Sequence, residues 1–80
     1  MTREGIWAEV NEIFRDVFDD PAITVDERTT AADIEDWDSL EHINLIAALE
    51  HQFGMKFTMG QVVSMKNVGE MVDIIVNAVG

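Results

Sequence analysis

One serine has neighbours that could support chemistry. Segment 36–40 reads D-W-D-S-L and comes just before an apolar run with helical spacing. Asp38 is a residue type that caps helices, and Glu41 follows three positions later, as in a capping box. Ser39 is then the first helical residue, with its hydroxyl beside unpaired backbone N–H groups at the positive end of the helix dipole. A negative group such as an attached phosphate would suit this position.

A catalytic role for the same serine is disfavoured. His42 and His51 follow Ser39 on the predicted helix, but a nucleophilic serine needs an oriented base and a preorganised oxyanion hole. The sequence has no G-x-S-x-G elbow, and the nine-residue spacing of the histidines does not match an i, i+4 zinc pair. We therefore expect no catalytic residue and no metal site. We expect both histidines at the surface, along the edge of the helix.

The helix that carries Ser39 is predicted over 39–53. Its apolar stripe is Leu45, Ile46, Leu49 and Phe53, which Ile43 and Ala47 widen. Leu40, beside the serine, is expected to be only partly covered. Gly54 is well placed as the C-cap.

Three other helices are predicted around it. The first spans 3–18, with Thr2 as its cap, and its apolar face comprises Trp7, Val10, Phe14, Val17 and Phe18, flanked by Ile6 and Ile13. Capping-box patterns at 58–61 and 67–70 open a short helix over about 59–65 and a last helix whose apolar residues are Val68, Met71, Val72, Ile75, Val76 and Val79.

A long connection of about twenty residues separates the first two helices. Pro21 pushes the chain out of the first helix, and a connection of this length in a small domain is often functional. We expect Ile23, Val25 and Ile34 to hold it against the core, with a short helical turn at 31–34. Its acidic residues do not match a calcium-binding EF-hand loop. The predicted fold is all-α: a small four-helix bundle in one domain over 1–80, with a long loop between helices 1 and 2 and a short helix 3.

Charge and composition limit the possible partners. Five basic and sixteen acidic residues give a net charge of −11, which disfavours nucleic acid and anionic membranes and suits partners with basic docking patches. The chain has no cysteine and no apolar stretch of the kind found in signal peptides or spanning helices. We expect a cytoplasmic monomer with no stable membrane insertion.

The whole pattern resembles the acyl carrier protein family. The D-W-D-S-L motif followed by E-H-I-N-L-I-A-A-L-E-H-Q-F-G looks like the family's attachment motif and second helix. The later V-V-S-M-K-N-V-G-E-M-V-D-I-I looks like its third and fourth helices. The resemblance covers essentially the whole chain.

This resemblance implies a non-catalytic carrier. Ser39 would hold 4'-phosphopantetheine, added from coenzyme A by a phosphopantetheinyl transferase, and the arm's thiol would hold an acyl chain as a thioester. Acyl-loading and acyl-transferring enzymes would be the further partners. By the family's pattern, the residues facing them are Asp38, Leu40, Glu41, Ala47 and Glu50, and the bundle interior offers room for the acyl chain.

The sequence also departs from carriers of fatty-acid synthesis. Trp37 replaces the small residue that commonly precedes Asp-Ser, and His42, Asn44 and His51 stand where acids or other residues are frequent. Polyketide and specialised lipid pathways are therefore as plausible as fatty-acid synthesis. An aminoacyl or peptidyl carrier and an unmodified acidic interaction module of the same fold are the alternatives.

Overall fold

The computed structural model describes residues 2–79 and contains four α-helices. They are α1 (Arg3–Val17), α2 (Ser39–Phe53), α3 (Met59–Ser64) and α4 (Val68–Val79), and a 3-10 turn at Ala31–Asp33 lies in the loop between α1 and α2. No strand occurs in this part of the chain. The predicted four-helix arrangement is therefore confirmed, although α1 and α3 each end one residue earlier than expected.

The helices begin and end largely where the capping residues predict. The Thr2 hydroxyl accepts from the Gly5 amide, and Thr58 and Gln61 form a complete capping box at α3. Gly54 adopts the left-handed conformation, with φ of 61°, as the C-cap of α2.

In two of the predicted capping boxes, only one of the two hydrogen bonds forms. Asn67 Oδ1 accepts from the Glu70 amide at 2.8 Å, but the Glu70 carboxylate accepts from the Lys66 amide. At α2, Asp38 accepts from the Glu41 amide, while the Glu41 carboxylate accepts from Asn44. The N-cap half is therefore present in each, without its reciprocal bond.

One hydrophobic core joins α1, α2, α4 and the long loop. The buried face of α1 consists of Ile6, Val10, Ile13 and Phe14, so the predicted face was displaced: Ile6 and Ile13 are central, whereas Trp7 and Val17 are half-buried. The predicted stripe of α2 is buried as expected. The core comprises Ile6, Val10, Ile13, Phe14, Phe18, Val25, Leu45, Ile46, Leu49, Phe53, Phe57, Val68, Met71, Val72 and Ile75.

Side chains of α1 hold the long loop in place. Asn11 Oδ1 accepts from the Val25 amide at 2.7 Å, and Arg15 Nε donates to the Ile23 carbonyl at 2.7 Å. Val25 is buried, and Ile23 and Ile34 pack against the core. The three apolar residues predicted to anchor the loop do so.

The loop also provides hydrogen-bond acceptors for the first backbone amides of α4. The Val68 amide donates to the Thr29 carbonyl at 2.8 Å, and the Gly69 amide donates to the Glu27 carbonyl at 3.3 Å. These bonds use N–H groups that a helix start leaves without intrahelical partners. Arg3 pairs with Glu27 of the loop and, at 2.9 Å, with Asp73 of α4.

The two carboxylates around Arg3 stabilise its charged form. The hydrogen bond to Glu27, followed by that to Asp73, raises the pKa of the Arg3 guanidinium. The cation therefore stays charged where α1, the loop and α4 meet.

Within residues 2–79, no helix has both the length and the apolar character needed to cross a bilayer.

Gly69 permits the close approach of loop and α4. A Cβ at this position would lie 2.7 Å from the Glu27 carbonyl oxygen and 3.1 Å from its Cα.

Gly69→Ala should therefore lower the free energy of unfolding by about 1–3 kcal/mol, because the backbone must shift. The measurement is the urea midpoint followed by far-UV circular dichroism. Gly60→Ala is the matched control: its nearest neighbour would be the Thr58 hydroxyl at 3.9 Å, so stability should hold or rise. Equal midpoints for Gly69→Ala and the unsubstituted protein would contradict this account.

Candidate functional site

Ser39 lies at the start of α2 with its side chain exposed to solvent. The preceding residue, Asp38, is extended and caps the helix, since its Oδ1 accepts from the Glu41 amide at 2.8 Å. Its carbonyl accepts from the His42 amide at 2.9 Å, the first bond of the helix. The serine hydroxyl therefore stands at the positive end of a 15-residue helix, as predicted.

Trp37 fixes this helix start against α1. Its ring is half-buried and meets the Phe14 ring edge-on, with the centroids 5.3 Å apart. The centroid of the Phe18 ring lies 6.2 Å from that of the indole. Aromatic contacts of this geometry stabilise beyond the area they bury. The large residue two positions before Ser39 thus acts as the anchor of α2, a role that the sequence did not reveal.

His42 corrects a prediction, because it does not lie freely at the surface. Trp37 Nε1 donates to His42 Nδ1 at 3.0 Å, and His42 Nε2 lies 3.1 Å from the Val62 carbonyl oxygen. The imidazole is half-buried and links the end of the loop to α3. His51, in the last turn of α2, is exposed as predicted.

An open cleft of about 620 Å³ lies beside Ser39, between α2, α3 and the start of α4. Ile43 is 56% exposed along it, so the prediction that this residue widens the core stripe is wrong. Ala47, assigned to the same stripe, is exposed as well. The short α3 covers too little of α2 to bury Ile43. The lining is largely apolar and comprises Ala31, Trp37, Asp38, Ser39, His42, Ile43, Met59, Val62, Val63, Met65, Lys66, Asn67 and Met71.

The exposed apolar side chains gather around this end of the molecule. Leu40 is 69% exposed next to Ser39, and Met59 and Val63 of α3 are each 74% exposed. Ile43 of α2 lines the same cleft as Met59 and Val63. Sequence reasoning missed Met59, Val62 and Val63. The available sequence signal was the apolar composition of this short segment, M-G-Q-V-V-S. The structure shows that none of its residues is buried, so its side chains line a surface cleft.

The residues predicted to face partners differ in their distance from Ser39 and in their exposure. Asp38, Leu40 and Glu41 lie within one helical turn of Ser39. Ala47 is exposed about 12 Å further along α2, from the helical rise per residue. Glu50 is engaged within the chain: its Oε2 accepts from the Phe57 amide at 2.8 Å, and its side chain is 19% exposed.

The arrangement suits a serine that is modified rather than one that attacks. Both His42 nitrogens have partners, and the Asp38 carboxylate accepts from a backbone amide. A negative group on the Ser39 oxygen would be stabilised by the helix end and would lie beside the cleft. Among residues 2–79, no three His, Asp or Glu side chains are grouped to hold a metal ion.

Known proteins share this architecture. A family model described as "Phosphopantetheine attachment site" matches residues 8–75. An acyl carrier protein of Acidothermus cellulolyticus is 32% identical over 78 residues, which cover 98% of this chain and 93% of that protein. A solution NMR structure of holo acyl carrier protein from Geobacter metallireducens superposes with a TM-score of 0.85 at 42% identity, over 90% of this chain and 83% of that one. The family match runs from α1 into α4 and includes Ser39.

Asp38 should stabilise the helix that presents Ser39. Asp38→Ala removes the N-cap acceptor and should lower the free energy of unfolding by about 1 kcal/mol. Thermal unfolding should show this as a loss of about 4–8 °C for a domain of this size. Asp36→Ala makes the same change of charge two residues away without removing the cap, and it should leave the midpoint within experimental error. A similar loss in both variants would mean that charge, not capping, is responsible.

Proposed function

This chain belongs to the acyl carrier protein family, and we propose that Ser39 is the residue that carries its covalent 4'-phosphopantetheine. The family's proteins are non-catalytic carriers. The observation that supports the assignment is the exposed Ser39 hydroxyl at the start of α2, beside an apolar cleft and inside the region matched by the family model. The proposal makes this chain a substrate of a phosphopantetheinyl transferase and of enzymes that load and transfer acyl groups.

The residues around Ser39 fit this prosthetic group. A phosphodiester keeps a negative charge, which the unpaired N–H groups and the dipole of α2 favour. The group supplies a thiol that holds acyl chains as thioesters, and the chain has no cysteine of its own to compete. Asp38 keeps the helix end formed, while Trp37 sets its position against α1.

The cleft is proposed as the shelter for the acyl chain. Its walls are mainly aliphatic and methionine side chains, and Ser39 stands at its edge. Apolar walls favour hydrocarbon over water at about 25 cal/mol per Å² of buried surface. The carrier thus serves fatty-acid, polyketide or specialised lipid synthesis, with cargo of acyl type.

Enzyme partners are proposed to dock around Leu40, Glu41 and Asp38. The net charge of −11 steers basic surfaces towards the protein, and the exposed Leu40 offers an apolar contact next to the modified oxygen. Ala47 extends this surface along α2. Glu50 contributes charge at its margin while it holds the Phe57 amide. We propose that the carrier acts as a cytoplasmic monomer.

Modification of Ser39 is directly measurable. Incubation with coenzyme A and a phosphopantetheinyl transferase of broad specificity should raise the intact mass by one phosphopantetheine group. Ser39→Ala should abolish the addition and leave the far-UV spectrum unchanged, because this side chain is exposed. Ser64→Ala is the matched control: it removes the only other serine, and modification should proceed as before.

Two outcomes would contradict the proposal. Addition to the Ser39→Ala variant would place the attachment elsewhere. No addition to the unsubstituted protein by several transferases would favour an unmodified acidic interaction module.

The proposed docking surface can be tested by removing the charge of Glu41. Glu41→Gln should lower kcat/KM for transferase modification several-fold at low salt, because steering by surface charge supports association. Added salt should reduce the difference in kcat/KM between Glu41→Gln and the unsubstituted protein, since salt screens exposed charges. Glu12→Gln makes the same change on α1 and should have little effect. Equal effects of the two variants would show that only net charge matters.

A further inference from the structure

A chain of two hydrogen bonds lies along the cleft beside Ser39. It runs from the Trp37 indole through the His42 imidazole to the Val62 carbonyl of α3, and we define these three residues as the relay. We propose that the relay holds α3 against α2 only while His42 is neutral, so that protonation of His42 loosens α3 and opens the cleft. The consequence for acyl cargo rests on the proposed function; the opening itself does not.

The two bonds of the relay fix the state of the imidazole. An indole N–H can only donate, so His42 Nδ1 must carry a lone pair to accept from it at 3.0 Å. A backbone carbonyl can only accept, so Nε2 must carry the proton towards Val62 O at 3.1 Å. Only the neutral tautomer with hydrogen on Nε2 makes both bonds.

Protonation sets two donors against each other. With hydrogen on Nδ1, the imidazolium N–H faces the Trp37 N–H across 3.0 Å, and one of the rings must move. Trp37 is held by its packing against the Phe14 and Phe18 rings, whose centroids lie 5.3 and 6.2 Å from that of the indole. The imidazole is therefore the ring that turns, which withdraws Nε2 from Val62.

The approach of the two rings gives the cation no compensating contact. Their planes are 24° apart, with centroids 5.8 Å apart, and the hydrogen bond joins their edges. A cation–π contact requires the cation over a ring face. The indole therefore provides no contact that would hold the imidazolium in its present position.

Few charges lie around the relay to offset this effect. Asp38 of the α2 cap and Lys66 of the α3–α4 connection line the same cleft, with opposite signs. The loop adds Asp36 next to Trp37, and Glu41 of α2 is bound to Asn44. Helix α3 has no titratable residue, and α1 meets the relay through its phenylalanines.

Helix α3 is the element most sensitive to losing this bond. None of its six residues is buried, and Val62 is only half-covered. A segment with so little buried surface opens at low cost in free energy. Losing one hydrogen bond should therefore raise its opening equilibrium about fivefold.

Hydrogen exchange of the unmodified protein tests the relay. Imidazole ¹⁵N spectra should show the Nε2–H tautomer for His42 at neutral pH. Protection of the α3 amides, corrected for intrinsic exchange, should fall about fivefold between about pH 7.5 and about pH 5, the interval in which histidine gains its charge. His51→Gln, on the same helix but exposed, should show the same fall as the unsubstituted protein.

Two variants separate the relay from the titration of carboxylates. His42→Gln should retain only the small acid-induced change that carboxylates cause. Trp37→Phe keeps an aromatic ring against Phe14 but removes the N–H that opposes protonated His42. The fall in α3 protection at low pH should therefore be as small in this variant as in His42→Gln. An Nδ1–H tautomer, an equal loss of protection in His42→Gln, or a full loss in Trp37→Phe would each overturn the inference.

A second measurement links the relay to cargo. In the modified protein loaded with a medium-length saturated acyl chain, thioester cleavage by hydroxylamine should accelerate between about pH 7.5 and about pH 5 by about fivefold more than it does in His42→Gln, after correction for the ionisation of hydroxylamine. The same pH dependence in the two proteins would show that opening does not expose the cargo. If no modified protein forms, the proposed function fails while the exchange experiment still decides the relay.

Discussion

The contact of Trp37 with Phe14 holds the start of α2 in place on the bundle, and the location of the site follows from it. Because the indole is wedged between α1 and His42, the next residues enter the helix at a fixed point on the bundle surface. Asp38 then satisfies an amide of the first turn, and Ser39 is left exposed at the positive end. An earlier part of the same loop is fixed by its hydrogen bonds to the start of α4.

Most of the fold could be predicted from the sequence because its signals are local. Caps at Thr2, Asp38, Thr58 and Asn67 depend on residues within four positions of each other, and Gly54 ends α2 through its own backbone freedom. The position of Ser39 at a helix start was readable for the same reason. Its proposed role as the attachment residue rests on the resemblance and the family match.

The features that escaped prediction depend on contacts between distant elements. Periodicity identifies an apolar face but not how much of it a neighbour covers, so Ile43 was assigned to the core although the short α3 leaves it exposed. His42 binds Val62 twenty positions later, and Glu50 binds the Phe57 amide across a turn. Nothing in the local sequence indicates these partners. Trp37 likewise gains its role from α1, which lies far away along the chain.

The light packing of α3 has a consequence for protein engineering. The segment Met59–Ser64 carries its own capping box at Thr58 and Gln61 and contributes no residue to the buried interior. It is therefore a natural unit for grafting between carriers. Exchanging it would reshape one wall of the cleft while the remaining three helices keep their packing.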